Sequence, residues 1–381
     1  MAFASNCQMM SGRLAGSHSK ERGLSALEGR RGSRPSDRSI RDRFARGDEV
    51  GLGLPLEAFE SSADGGVGKP LTMTEFTDTG RAVLSGASDG SLRVWDLSES
   101  VQVASVEASE AVVACLAISD ALQCALVGGS DATLRLWDLQ ALECADKLEG
   151  HEGGVLCVDA DWQSGRAISG AHDKTLRCWD LRTGECQGVL VGHSAAVWCV
   201  ALATSASFNR AVSGAGDKVL IVWDLAQQSC LKVLEGHSGG VSCLAMDWSS
   251  SLLLSGSSDK TLRLWWDPLS GMAAETLRGH EAEILCVAAC WESRRALSGS
   301  RDKALRLWDL DSAECVEFFW GHTGPVRCLA VDWPTHCAVS GSSDGTLKVW
   351  DLERGTCNGT LKGHKDGVRC AALFQSCGPV L

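Results

Sequence analysis

Serine, histidine and aspartate recur together in this chain at spacings that suit hydrolytic chemistry. One set is His151, Ser169 and Asp173. These residue types make an acyl-transfer triad when serine is the nucleophile, histidine its base and aspartate the group that orients the base. Such a triad serves one site. Here the set returns in the same order as His193, Ser213, Asp217, then His237, Ser255, Asp259, then His280, Ser298, Asp302, then His322, Ser340, Asp344. None of these serines sits in a Gly-x-Ser-x-Gly elbow, and no glycine-rich phosphate loop ends in Lys-Ser/Thr. The sets are therefore expected to be structural, with no catalytic residue and no cofactor.

Eighteen cysteines raise the possibility of zinc or disulfides. Cys157, Cys199, Cys243, Cys286, Cys328 and Cys370 each stand six positions after a histidine, and Cys115 falls in the same register. A second series is Cys144, Cys186, Cys230, Cys315 and Cys357. Zinc sites use closely paired ligands, and no C-x-x-C pair occurs. The cysteines read as small buried side chains, the second series marking an outer strand, and no metal site is expected.

A tryptophan completes each triad-like set six residues after the aspartate: Trp179, Trp223, Trp265, Trp308 and Trp350. Trp95 and Trp137 extend the series, with Asp89 and Asp131 six residues before them. The steps between the seven tryptophans are 42, 42, 44, 42, 43 and 42 residues. Such a period is the mark of a repeat architecture.

The elements that must position these residues are short. In the third repeat, Val155–Ala160, Arg166–Gly170, Thr175–Leu181 and Glu185–Val191 read as four extended segments separated by turn residues. Four strands per period of just over 40 residues, with Gly-His and Trp-Asp marks, describe one blade of a β-propeller. Inner strands covered on both sides explain the continuous apolar runs Val197–Ala203 and Val326–Val331.

The chain resembles the WD40-repeat family over roughly residues 71–363. The resemblance implies an all-β, seven-bladed propeller. It also implies that each set is a buried hydrogen-bond chain running from Asp through His and Ser to the indole N–H. The implied role is a non-catalytic scaffold or adaptor that holds partner proteins or peptides on its faces, within a multiprotein complex. Candidate partner-binding residues are His172, Ser258, Arg301 and Ser343, just before turn aspartates, with Trp198 and Arg327. A narrower alternative is the substrate receptor of a cullin–RING ubiquitin ligase. Trp179-Asp180-Leu181-Arg182 is similar to the Trp-Asp-x-Arg box of such receptors, with Arg182 as the adaptor contact. Ile168, Ser169 and Asp173 agree with the extended box, while Ala167 and Cys178 depart from it.

Irregularities are informative. The first repeat has Val67 where a histidine belongs, and the second has Ser109 for histidine and Val127 for serine. Both blades are expected to lack the full network and to be softer. In the fifth, Trp265-Trp266-Asp267-Pro268 displaces the aspartate, predicting a bulge or longer loop and an exposed Trp266. The longer His193–Asp217 spacing predicts an extended loop at Thr204–Phe208. Residues 364–381 start an eighth repeat that stops before its serine. Two closures stand open: seven blades, with this segment left over or replacing a weak first-blade strand, or a mixed eighth blade using Leu52–Glu60. Seven is preferred, with the propeller over 63–363.

Residues 1–48 carry ten Lys/Arg against five Asp/Glu, while the whole chain is −12. The basic, Ser- and Gly-rich segment 1–62 reads as a disordered tail. An acidic propeller repels phosphate backbones, so nucleic acid is not an expected partner. Neither a membrane nor a small-molecule substrate is expected. With no apolar signal core at the start, the protein is expected to be intracellular, cytoplasmic or nuclear.

Overall fold

The computed structural model describes residues 81–203, 209–270 and 275–375, all within the unit Arg38–Leu381. The proposed tail, Val67, the N-terminal boundary at 62/63, Leu52–Glu60 and the loop Thr204–Phe208 lie outside the described residues. What is described forms seven antiparallel four-stranded sheets, the blades of an all-β propeller. Among the described residues no helix is long and apolar enough to cross a membrane.

The third blade shows how the repeat folds. Its strands are Val155–Asp161, Arg166–Ala171, Thr175–Asp180 and Glu185–Val191, paired in sequence order. The second strand has every residue but its first buried, whereas the outer strand is mostly exposed. The tight turn after the second strand is organised by Asp173, whose Oδ1 accepts the Thr175 N–H at 2.9 Å. The next residue, Lys174, then takes a left-handed φ of 69°. Asp180 of the Trp-Asp pair does comparable work one turn later, accepting the Arg182 N–H at 2.8 Å.

Blades meet through glycine. A Cβ on Gly170 would stand 2.6 Å from Val197 of the next blade and 2.7 Å from Cys157 Sγ. The same Gly-to-Val (or Ile) approach recurs at all seven blade junctions, from Gly86 with Val113 round to Gly341 with Val368. Position one of every inner strand is thus Val or Ile, and position three is cysteine. Burial pushes the Cys115, Cys243 and Cys328 thiols up to about 12, so they stay protonated. All cysteines among the described residues are free thiols.

The ring closes with seven blades. The C-terminal strand Val368–Gln375 pairs antiparallel with Arg81–Ala87 and becomes the inner strand of the first blade, followed by Ser91–Asp96 and Val101–Glu107. Residues 364–375 are therefore neither left over nor part of a mixed eighth blade. In the fifth blade the ladder between the second and third strands continues unbroken through Leu252↔Trp266. The next strand begins at Glu275, and residues 271–274 before it lie outside the described residues. Trp266 is 42% exposed, and the Arg294 guanidinium lies 5.2 Å from its ring centroid.

Candidate interaction face at the channel mouth

The triad-like sets lie in the blade interiors. In the third blade, His151 Nδ1 is 2.7 Å from Asp173 Oδ2, and His151 Nε2 is 2.8 Å from Ser169 Oγ. The Trp179 indole N–H donates to the same hydroxyl at 2.8 Å. Indole is a donor only, so the serine O–H is left to donate to His Nε2, and His Nδ1–H to donate to the carboxylate. Every polar atom of the set is satisfied. The fourth to seventh blades repeat this geometry. His–Ser distances there run 2.7–2.8 Å and Trp–Ser distances 2.8–2.9 Å.

Electrostatics agree with that proton arrangement. Burial pushes the His151, His193, His237 and His322 rings below their ordinary pKa, against the pull of their aspartates. Burial works to raise the Asp259 carboxyl, but hydrogen bonds from Thr261, His237 and the Ser238 N–H outweigh it and hold it at about 2. A neutral histidine between a carboxylate and a hydroxyl follows. The serines have 0% exposure and spend their oxygens on indole and imidazole. No substrate carbonyl can reach them. Two serines outside the sets, Ser88 and Ser343, do fall in Gly-x-Ser-x-Gly pentapeptides. Both sit at strand–strand turns, where their hydroxyls accept an arginine N–H.

The first blade corrects a sequence expectation. It is not short of a histidine, because His364 from the far end of the chain supplies it. His364 Nε2 is 2.8 Å from Ser85 Oγ, which accepts the Trp95 indole N–H at 2.7 Å. Its Nδ1 is 3.5 Å from Asp89, and Ser91 Oγ bridges the gap, 3.0 Å from His364 Nδ1 and 2.6 Å from Asp89 Oδ1. The second blade does lack the network. Trp137 Nε1 is buried without a hydrogen-bond partner, because Val127 replaces the acceptor.

A cavity of about 510 Å³ opens where all seven inner strands converge. Four of the sequence-proposed residues line it: His172, Trp198, Ser258 and Arg327. Arg301 and Ser343 stand at its edge through their partners. Arg301 pairs with Glu283 at 3.1 Å, and Ser343 Oγ accepts the Arg327 Nε–H at 2.6 Å. Sequence reasoning missed Arg369, Leu156, Leu285, Ala114 and Ser242, which also line it. Each occupies the second position of an inner strand, the register of Trp198 and Arg327, so the signal was present. Arg369 was overlooked because its repeat read as truncated.

Trp198 is half-buried, and its indole leans over the backbone of Gly216 and of Gly240 in the next blade. Burial, then the charges of Arg369 and Arg301, lower the pKa of half-buried Arg327 from its ordinary value. Arg182 is exposed and packs over Gly165 in the turn between the first and second strands of its blade, away from this cavity. Among the described residues no group of three or more His, Cys, Asp or Glu is placed to hold a metal ion.

A ring of four-stranded blades tied by Asp–His–Ser–Trp chains defines a repeat propeller. The chain matches the family profile "WD domain, G-beta repeat" at residues 66–96, 100–138, 142–180, 184–224, 228–265, 272–309, 313–351 and 355–381, well over half its length, and it belongs to the WD40 family. Eight matched segments make seven blades because each segment from the second onward runs from one blade's outer strand into the next blade. The last segment supplies the inner strand that the first segment's blade uses. No curated protein matches the chain. Propellers of this family are typically non-enzymatic and generally bind proteins or peptides.

Proposed function

We propose that this protein is a non-catalytic scaffold that holds a segment of a partner protein at the channel mouth, within a larger assembly. One observation carries the reading. Along the seven inner strands, positions one and three repeat as Val or Ile and as Cys. Position two, between them, does not repeat: it is Ala114, Leu156, Trp198, Ser242, Leu285, Arg327 and Arg369. Packing dictates the repeated positions. The variable one faces the cavity, where residue type is free to serve recognition. The fully buried serines argue against hydrolysis, and the free thiols suit a reducing intracellular compartment.

Affinity purification of the full chain with crosslinking mass spectrometry tests this. Partner crosslinks are expected around the mouth, and Trp198→Ala is expected to weaken capture at least tenfold while the variant stays folded at the assay temperature. Crosslinks confined to the outer strands or to residues 1–48 would overturn the assignment.

A further inference from the structure

We propose that the mouth recognises a phosphorylated serine or threonine of the partner segment, held between Arg327 and Arg369, with an adjoining apolar side chain against Trp198 and Leu156. The inference rests on the mouth being the partner site and names the chemistry it selects.

Arg327 and Arg369 occupy the same inner-strand position on two adjacent blades. Each is clipped to a turn of its own blade through Nε, Arg327 to Ser343 Oγ at 2.6 Å and Arg369 to Ser88 Oγ at 2.7 Å. A serine hydroxyl fixes the guanidinium without neutralising it. The terminal nitrogens, which carry the fork of donors, are left for another acceptor. Arg301, nearby on the sixth blade, is paired with Glu283 at 3.1 Å. Among the described residues neither Arg327 nor Arg369 forms an ion pair. Two like charges are therefore held together in a concave site of a protein whose net charge is −12. Such a site focuses anions and stands out from its surroundings.

The charge count selects the ligand. A single carboxylate offers one negative charge and two oxygens. A phosphomonoester offers about −1.5 to −2 and three strong acceptor oxygens, enough for two guanidiniums at once. The wall formed by the third and fourth blades, with Leu156 and Trp198, has no cation and suits an apolar neighbour of the phosphorylated residue.

The full chain is tested against three degenerate peptide libraries with a central phosphoserine, serine or glutamate, read by fluorescence polarisation. Phosphoserine peptides are expected to bind at least tenfold more tightly than either other library. That advantage is expected to fall at least tenfold in Arg369→Ala, partly return in Arg369→Lys, and persist in Arg182→Ala. Arg369 is exposed, so unchanged thermal unfolding of the variant separates lost binding from lost fold. Equal binding of the phosphoserine and serine libraries, or indifference to Arg369→Ala, overturns the proposal. Glutamate peptides matching phosphoserine also overturn it, in favour of a carboxylate site. Trp198-dependent binding of unphosphorylated peptides would sink this inference and leave the mouth as the partner site. Absence of peptide binding, with partner crosslinks elsewhere, would remove both.

Discussion

His364 Nε2 and Ser85 Oγ are 2.8 Å apart in space and 279 positions apart in sequence. This contact is the ring closure written as one hydrogen bond. The first blade's inner strand, Val368–Gln375, reaches its neighbour Arg81–Ala87 only by way of the whole ring. The segment that carries His364 is the place where the ring can open. His364→Ala removes the acceptor of the Ser85 hydroxyl proton and leaves a cavity beside Trp95, a loss of about 2–3 kcal/mol. Denaturant unfolding should show that loss. Hydrogen exchange should show a larger drop in protection at Val368–Gln375 than His322→Ala causes at Val326–Asp332. Equal local losses would mean that closure is not the weak point.

The second blade makes the opposite prediction, a gain. Its Trp137 N–H is buried and unpartnered, which costs about 1–3 kcal/mol. Val127 is 2% exposed and pairs across the ladder with Arg135, as Ser169 pairs with Arg177 in the third blade. Val127→Ser with Ser109→His rebuilds the chain from Asp131 to Trp137. The double variant should be about 1–2 kcal/mol more stable than the parent, while Val127→Ser alone should gain less. A fall in unfolding midpoint for the double variant would count against the rule that the network stabilises the blade.

Acid should weaken the ring in two stages. His151, His193, His237 and His322 are pushed below their ordinary pKa by burial, and His364 to about 4. At these histidines the unfolded chain binds more protons than the folded one from about pH 6.5 downward, so their contribution is full above that pH and declines as pH falls toward 4, outweighing the opposite, single contribution of buried Asp159, which burial raises to about 6. The aspartates act lower. Asp89, Asp259 and Asp302 titrate at about 2, so their contribution is present above about 3.9 and lost as pH falls from there. Urea midpoints should be level from pH 8 to 7, fall between 6.5 and 4.5, and fall more steeply below 4. A level profile down to pH 4.5 would mean that the histidines do not titrate on unfolding.

Much of this was legible in the repeat. The third blade's strands begin where the sequence placed them and end within a residue of it. Exposed Trp266 was readable from its displaced Asp267. What failed was chain order. A linear reading looks for each histidine upstream of its own aspartate, and closure breaks that rule once, so Val67 was taken as a lost partner and His364 as a leftover. Arg369 was missed for the same reason, since the truncated repeat seemed to have no blade to line. Local spacing encodes a blade, but the join between the two ends is encoded only by complementarity between residues far apart.

The blade junctions offer the most direct test of how tightly that join is made. A Cβ on Gly299 would lie 2.7 Å from Val326 of the next blade and 2.6 Å from Cys286 Sγ. Both neighbours are buried on adjacent inner strands, so neither can yield without moving backbone. Gly299→Ala should cost about 1–3 kcal/mol by overpacking. Gly359, on an outer strand, is the control. A Cβ there meets nothing closer than Ser100 Oγ at 3.3 Å, and Gly359→Ala should change stability by less than about 0.5 kcal/mol. If the cost instead arose from glycine's backbone freedom, the two substitutions would act alike. Equal unfolding midpoints for the two variants would therefore remove the close approach of glycine and valine as the reason this position is glycine in every blade.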